Sequence, residues 1–595
     1  MKKREEIQAK DKWTVNEIYS SDEAWEKDYK ELQEEAPKLK AFEGKLGDAK
    51  TLIEYFEVNE KISRKAEKIY VYAHLRSDED TSNTTYQAMM NKIDAYMAEY
   101  ATYAAYVVPE ILSLPDGTIE KLMSEYKGLE PYKFLLENIL KEKPHVLNKQ
   151  EEELLAAASD CLDAPSAIHN IMTNADMKFG NIKDEDGEVV ELTEGNYSSF
   201  IKSKDREVRK AAFEKLFGEY KNFENTLATT LSSSIKVFNF GARVRHYNSA
   251  LEASLKPNDI PLEVYTNAIE TIDKNLASLH RYVALKKRLL GVDEMHMYDL
   301  YVPITSNFDM KVTYEEAKEI VFKALKPLGE EYLSIVKRAF DERWIDVYEN
   351  EGKQGGAYSW GSYDSAPYIL MSYKDDLNSL FTLIHELGHS MHSYYSRNNQ
   401  EYLYSSYKIF VAEVASTLNE LLLVHYLLEN SKSKEERIYL LNYYLEQFRT
   451  TVYRQTMFAE FEKLTHERVE SGEPLTADEF NSIYYDLNKK YYEKSCIVDE
   501  QIGLEWARIP HFYSNFYVYK YATGFCAASA LSQEILENGQ NAVDKYINFL
   551  KSGGSEYPLE QLRAAGVDME KKEAVEDALK IFAELVDKLD EEYSN

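Results

Sequence analysis

The stretch His385-Glu386-Leu387-Gly388-His389 constrains this chain more than any other. It places two imidazoles four residues apart, with a carboxylic acid beside the first. On an α-helix a four-residue step turns through about 400°, so both rings leave one face a single turn apart, close enough to hold one metal ion. The surroundings favour that helix. Asp375 and Asp376 stand where a first turn favours acids, and Leu377, Leu380, Phe381 and Ile384 recur at helical spacing. Neither a proline nor a turn pair interrupts residues 377–395. His385 and His389 therefore read as a pair of zinc ligands.

A zinc ion needs a third protein ligand, and an open fourth position if the site is catalytic. An extended astacin-like arrangement would require a Gly at position 392 and a His at position 395. The chain has His392 and Tyr395 there, which excludes it. His392 lies near the same helical face, but liganding from it would stretch the grip over two turns, so it reads as a neighbour. The Leu-rich segment 407–429 offers a better partner. Glu413, Ser416, Thr417 and Glu420 fall at i, i+3, i+4 and i+7, forming one polar stripe on an otherwise apolar helix. Carboxylates on a mostly buried helix need a partner, because an unpaired buried charge is strongly unfavourable. Glu413 is the expected third ligand. Glu420, two turns along, is placed to accept a hydrogen bond from the far nitrogen of a liganding His. The competing reading is a stripe that simply faces solvent.

These residues resemble a known family. His385-Glu386-Leu387-Gly388-His389, followed 24 residues after the second His by Glu413-Val414-Ala415-Ser416, is similar to the thimet-type zinc oligopeptidases, and most closely to the bacterial oligoendopeptidase F branch. Gly355-Gly356-Ala357-Tyr358, with Pro367-Tyr368-Ile369-Leu370-Met371-Ser372-Tyr373, resembles that family's substrate-binding strands, although Ser372 stands where Asn is usual. Pro510-His511-Phe512-Tyr513 through Phe516-Tyr517-Val518-Tyr519 and Tyr521-Ala522-Thr523-Gly524 resembles its His/Tyr transition-state segment. The resemblance covers roughly residue 110 onward. It implies a mainly α, two-lobed helical zinc-peptidase fold with a small β-sheet beside the active-site helix. It also implies a deep channel that admits short unstructured peptides.

The chemistry follows from residue types. Zinc makes hydroxide available near neutral pH, and Glu386, about 100° round the helix from His385, can take the proton of the attacking water and hand it to the departing amine. The oxyanion formed at the peptide carbonyl needs donors opposite the metal. His511 and nearby tyrosines supply them. In a helical reading Tyr513, Tyr517 and Tyr521 share one stripe, while Phe516 and Tyr519 lie near another, so only some can face the metal. The resemblance points to His511 with Tyr517 or Tyr519. The chain holds 47 Tyr, so packing is the competing role for any one of them. Segments 357–360 and 368–373 read as two short strands joined by a turn, and an exposed strand edge can bind substrate backbone. Gly356, Ala357, Tyr358 and Tyr513 are the substrate-contact candidates. A purely structural hairpin is an equal reading of the strands.

With 595 residues and 44% apolar content, the chain can bury more than one core. Its formal charge of −32, without a sizeable basic patch, argues against nucleic acid and anionic membranes as partners and leaves oligopeptides. Cys161, Cys496 and Cys526 are scattered without paired spacing, which suits a cytoplasmic protein. No apolar segment follows the basic N-terminus, and no uninterrupted apolar run reaches spanning length. Apolar periodicity predicts helices at 86–108, 149–162, 205–220, 314–324, 436–470 and 575–589. Asp186-Gly187 predicts a hairpin within 177–192. The polar run 193–204 divides an N-terminal helical lobe, 1–200, from a catalytic domain, 201–595. The resulting expectation is an endopeptidase binding one Zn2+. An exopeptidase using Arg508 to hold a chain end, or a peptide-binding protein without turnover, would be its rivals. Oligomeric state is not legible.

Overall fold

The computed structural model describes residues 2–305 and 310–594. The fold is mainly α-helical with two small sheets. Two compact units are present, interleaved along the chain. One comprises Met1–Pro144, Met310–Tyr426 and Leu531–Val567; the other comprises His145–Asp309, Leu427–Ala530 and Asp568–Asn595. The division near residue 200 drawn from the sequence falls inside the second unit. The polar run that suggested it begins a short helix, Glu194–Phe200, capped by Thr193 and anchored by buried Tyr197.

In the first unit, helix Asp22–Glu35 lays Trp25, Tyr29 and Leu32 against α1 (Ala49–Glu79), and the Trp25 indole donates to the Ile69 carbonyl at 2.9 Å. Helix α2 (Thr84–Ala104) packs on α1. It is shorter than the 86–108 expectation because a separate helix, Val107–Ser113, follows it. Helix Tyr314–Ala324 begins at a capping box built by Thr313 and Glu316.

The second unit contains the predicted hairpin, β1 (Asn181–Lys183) and β2 (Val189–Glu191), with Ile182 opposite Val190. Gly187 takes the left-handed turn position at φ 82°. Helices Lys149–Leu162, Arg206–Asn222 and Glu573–Ser594 lie where periodicity placed them. The run 436–470 is not one helix. It is Lys434–Phe448 and Arg454–Glu470, joined by a widened π turn at Arg449–Tyr453 where buried Arg449 ion-pairs with Glu446 at 2.7 Å.

The second sheet lies in the first unit. Its strands are β3 (Ile345–Asp346), β4 (Tyr358–Trp360) and β5 (Tyr368–Leu370), in the order β3-β5-β4. Strands β4 and β5 are antiparallel, as expected. Strand β3, parallel to β5, is an addition. Helix α3 (Leu377–Asn399) follows the sheet, and α4 (Ile409–Glu429) packs against α3 at Gly388 and Ser416. By length and a mean hydropathy of 1.2, α4 could cross a bilayer, yet most of it is buried inside the protein and it carries Glu413 and Glu420.

Candidate active site

Helix α3 starts where Asp376 accepts the Ser379 N–H at 2.7 Å. Asp376 is thus the N-cap rather than a first-turn acid, and Asp375 precedes it with φ 53°. Eight residues into the helix His385 and His389 leave one face with their Nε2 atoms 3.2 Å apart. Helix α4 brings Glu413 to them, its Oε2 lying 3.4 Å from His385 Nε2 and 3.5 Å from His389 Nε2. Ligands held at about 2.0–2.1 Å in a tetrahedron stand about 3.3–3.4 Å apart. The triangle His385–His389–Glu413 therefore has the edges of a tetrahedral metal site. It is the one such group among the described residues.

The two helices can approach this closely because of Gly388. A Cβ there would lie 2.5 Å from Ser416 Cα and 2.7 Å from both Ala415 O and Ser416 N. Glu413, Ser416 and Glu420 of the polar stripe on α4 meet α3, with Glu413 and Glu420 still partly exposed. Ser416 Oγ donates to Glu413 Oε2 at 3.0 Å, Asn419 Nδ2 donates to the Ile384 carbonyl at 3.2 Å, and Tyr332 OH donates to Asn419 Oδ1 at 3.0 Å. Glu420 Oε1 lies 2.5 Å from His385 Nδ1, so the proton of that imidazole belongs on Nδ1 and Nε2 is free to ligate. Asn419, Gly388 and Tyr332 were not singled out in the sequence. The signal for Gly388 was its place between two close-packed ligand positions.

Three carboxylates converge on two imidazoles. Burial disfavours the His385 cation, but Glu420, Glu386 and Glu413 outweigh it and raise its pKa to about 9. Burial likewise pushes Glu413 up, and His389 and His385 pull it down to about 2. Such a cluster is matched to a cation. Glu386 is 6% exposed, its pKa is raised chiefly by burial, and its Oε2 has no hydrogen-bond partner among the described residues. His392 is 1% exposed and stacks on Tyr407 at 3.6 Å, outside the ligand group.

Beside α3, β4 forms a sheet edge. Ser359 on that strand meets Ser390 Oγ at 2.8 Å, and Ser390 donates to the Pro367 carbonyl, fixing the strands against the residue that follows His389. Gly356 and Ala357 lead into β4, Gly356 at φ 92° with open space around it. The Tyr358 hydroxyl is committed to Asp78 at 2.6 Å.

In the second unit His511, Tyr517 and Tyr521 gather on an accessible face. The Tyr521 hydroxyl lies 3.5 Å from His511 Nε2, and the Tyr517 and Tyr521 rings are 5.4 Å apart. Tyr519 is different: 2% exposed, it packs against Tyr265 at 5.0 Å. Tyr513 is also tied inward, with its hydroxyl 2.7 Å from Thr230 Oγ1 and its ring 4.5 Å from His169. Sequence reasoning paired His511 with Tyr517 or Tyr519; Tyr521, four residues from Tyr517 on one helical stripe, completes the cluster. Arg508 is bound by Glu194 at 2.7 Å, leaving it unsuited to hold a peptide terminus.

Residues 199–581 match Peptidase family M3, and residues 110–179 match Oligopeptidase F. The chain belongs to peptidase family M3. Within M3 it falls in the oligoendopeptidase F branch. Oligopeptidase PepF of Bacillus subtilis is 51% identical over 99% of this chain and 88% of its own length. The crystal structure of oligoendopeptidase-F from Enterococcus faecium superposes with a TM-score of 0.75 at 40% identity, covering 96% of this chain and 99% of its own. A solved Chlamydophila abortus structure gives a TM-score of 0.93 at 37% identity, covering 99% of this chain and 100% of its own. As an M3 peptidase the protein hydrolyses peptide bonds, and its His-His-Glu group is one that could hold a metal ion.

Proposed function

We propose that this M3 peptidase is a zinc-dependent endopeptidase that cleaves internal bonds of short, unstructured oligopeptides in the cytoplasm. The observation that carries the metal assignment is the triangle of His385 Nε2, His389 Nε2 and Glu413 Oε2, with edges of 3.2, 3.4 and 3.5 Å. Two imidazoles and one carboxylate, with a carboxylate behind the first imidazole, form a donor set suited to one Zn2+ with a free position. Zinc bound there supplies Lewis acidity that polarises a carbonyl and makes hydroxide available near neutral pH.

The protein side of the reaction is then assigned residue by residue. Glu386 lies one residue from a ligand, in a mostly dry setting with one oxygen uncommitted, and acts as general base, later returning the proton to the leaving amine. Glu420 holds the His385 tautomer. The β4 edge, entered through Gly356 and Ala357, takes up substrate by main-chain pairing, which demands little of its sequence. His511, Tyr517 and Tyr521 donate to the developing oxyanion, supported by the family resemblance and by their clustering. Tyr519 and Tyr513, both turned into the second unit, serve packing in this reading. The exopeptidase alternative loses its terminus-binding cation because Glu194 neutralises Arg508. Intact Glu386 and all three ligands argue against a non-catalytic peptide binder.

The test is Glu386→Gln. The variant should keep its zinc and lose cleavage of an end-blocked, internally quenched peptide. Undiminished turnover in the metal-loaded variant would refute the assignment.

A further inference from the structure

Phe516 has φ 57°, a left-handed backbone that a bulky aromatic residue rarely adopts. It is 1% exposed, and its ring lies 4.5 Å from His466, 5.8 Å from Tyr265 and 6.1 Å from Phe238. Its N–H donates to Oε1 of Glu462 at 2.9 Å. Glu462 stands within helix Arg454–Glu470, is 2% exposed, and has no hydrogen bond on its second oxygen. Burial pushes this carboxyl well above the ordinary range, while the Phe516 N–H and Lys520 pull the other way. A buried acid is unfavourable where an aliphatic side chain would fill the same space. Among the described residues, its one directed contact is to the strained residue.

The kink at Phe516 lies between two anchored pieces of chain. Before it, the turn Pro510–Tyr513 is fixed through Tyr513 on Thr230. After it begins helix α5 (Tyr519–Asn538). Within 510–521, Phe516 is the one residue with positive φ. Relaxing it to a right-handed or extended conformation would rotate everything that follows, with Tyr517 first. Phe516 thus sets how Tyr517 and Tyr521 stand beside His511.

We propose that Glu462 is a positioning residue for the peptidase reaction: by accepting the Phe516 N–H it holds the left-handed turn that places Tyr517 and Tyr521 next to His511. The proposal rests on the reading that this trio acts on the substrate. What matters is where the acceptor oxygen lies; its charge is secondary.

Three substitutions test this in the full-length, zinc-loaded enzyme. Glu462→Gln keeps an acceptor at the same reach and should hold kcat near wild type. Glu462→Asp withdraws it by one methylene, and Glu462→Leu removes it. Both should lower kcat by roughly tenfold to a hundredfold, as misplacement of catalytic donors does. KM and zinc content should stay near wild type. If the Leu variant fails to fold, as read by circular dichroism, the Asp and Gln pair decides. Wild-type kcat in Glu462→Asp, or equal loss in Glu462→Gln, overturns the proposal. Tyr517→Phe and Tyr521→Phe separate the two levels. If both retain wild-type kcat, the donor reading fails and the positioning role with it; if they lose kcat while Glu462→Asp does not, only the positioning role fails.

Discussion

Gly388 and Ser416 meet backbone to backbone, with no room for a methyl group between the helix that bears both histidines and the helix that bears Glu413. A side chain at 388 would push α4 away at the point that sets the distance from Glu413 to the two imidazoles. Overpacking of this kind costs about 1–3 kcal/mol. Gly388→Ala should lower the melting temperature and weaken zinc retention by about tenfold or more, as loss of ligand geometry does. Chelator competition checks it. Unchanged zinc affinity would mean that the helix separation does not tune the site.

Glu420 reaches His385 Nδ1 at 2.5 Å, on the side of the ring away from the Nε2 that faces His389 and Glu413. Glu420→Ala leaves that imidazole free to rotate and change tautomer. Zinc affinity should fall by about 10- to 100-fold, with Glu420→Gln intermediate because its carbonyl still accepts the N–H. Equal affinity in all three proteins would remove Glu420 from the site.

The accessible cluster and the buried tyrosines should respond differently. Tyr521→Phe removes a donor beside His511 and should lower kcat by about 10²-fold, with little change in KM. Tyr519→Phe should leave kcat near wild type, since that ring is packed against Tyr265. Steady-state kinetics on one peptide distinguishes them. The reverse ranking would return Tyr519 to the catalytic set.

Asp346 on β3 is fully buried, with Arg4 Nη2 at 2.5 Å and Lys353 Nζ at 2.7 Å. Burial opposes its charge, but Arg4 and Lys353 outweigh burial and hold its pKa below the ordinary value. A depressed carboxylate contributes stability that is fully present above its unfolded pKa of about 3.9 and is lost as pH falls through the lower folded value. Asp346→Asn should destabilise the protein at pH 7 by about 3 kcal/mol, because buried Lys353 loses its ion-pair partner and Arg4 keeps only Glu79. It should also flatten the loss of stability between about pH 4 and pH 2. Urea midpoints across that range measure both effects. Parallel wild-type and variant curves would contradict the pairing.

Much of the His385–His389–Glu413 grouping was legible because helical geometry is local. The four-residue step between His385 and His389, and the i, i+3, i+4, i+7 stripe from Glu413 to Glu420, fix faces without knowledge of the fold. What brings those faces together is not local. The Gly388–Ser416 contact, the Asn419 bond to Ile384 and the parallel strand β3 each join residues far apart in sequence. In the 510–521 segment the helical stripe grouped Tyr517 with Tyr521, but that stripe assumes regular helix. Left-handed Phe516 breaks it, and Tyr513 is turned inward. The run 436–470 misled for a similar reason: apolar spacing continues through a π turn that begins at buried Arg449, ion-paired with Glu446.

The most direct measurement is zinc stoichiometry by plasma mass spectrometry on wild type, His385→Ala, His389→Ala and Glu413→Ala after dialysis against a weak chelator. The proposed function predicts one zinc per wild-type chain and loss of that zinc in each variant while the fold persists. A full complement of zinc in Glu413→Ala, with cleavage intact, would contradict the coordination on which the catalytic account depends.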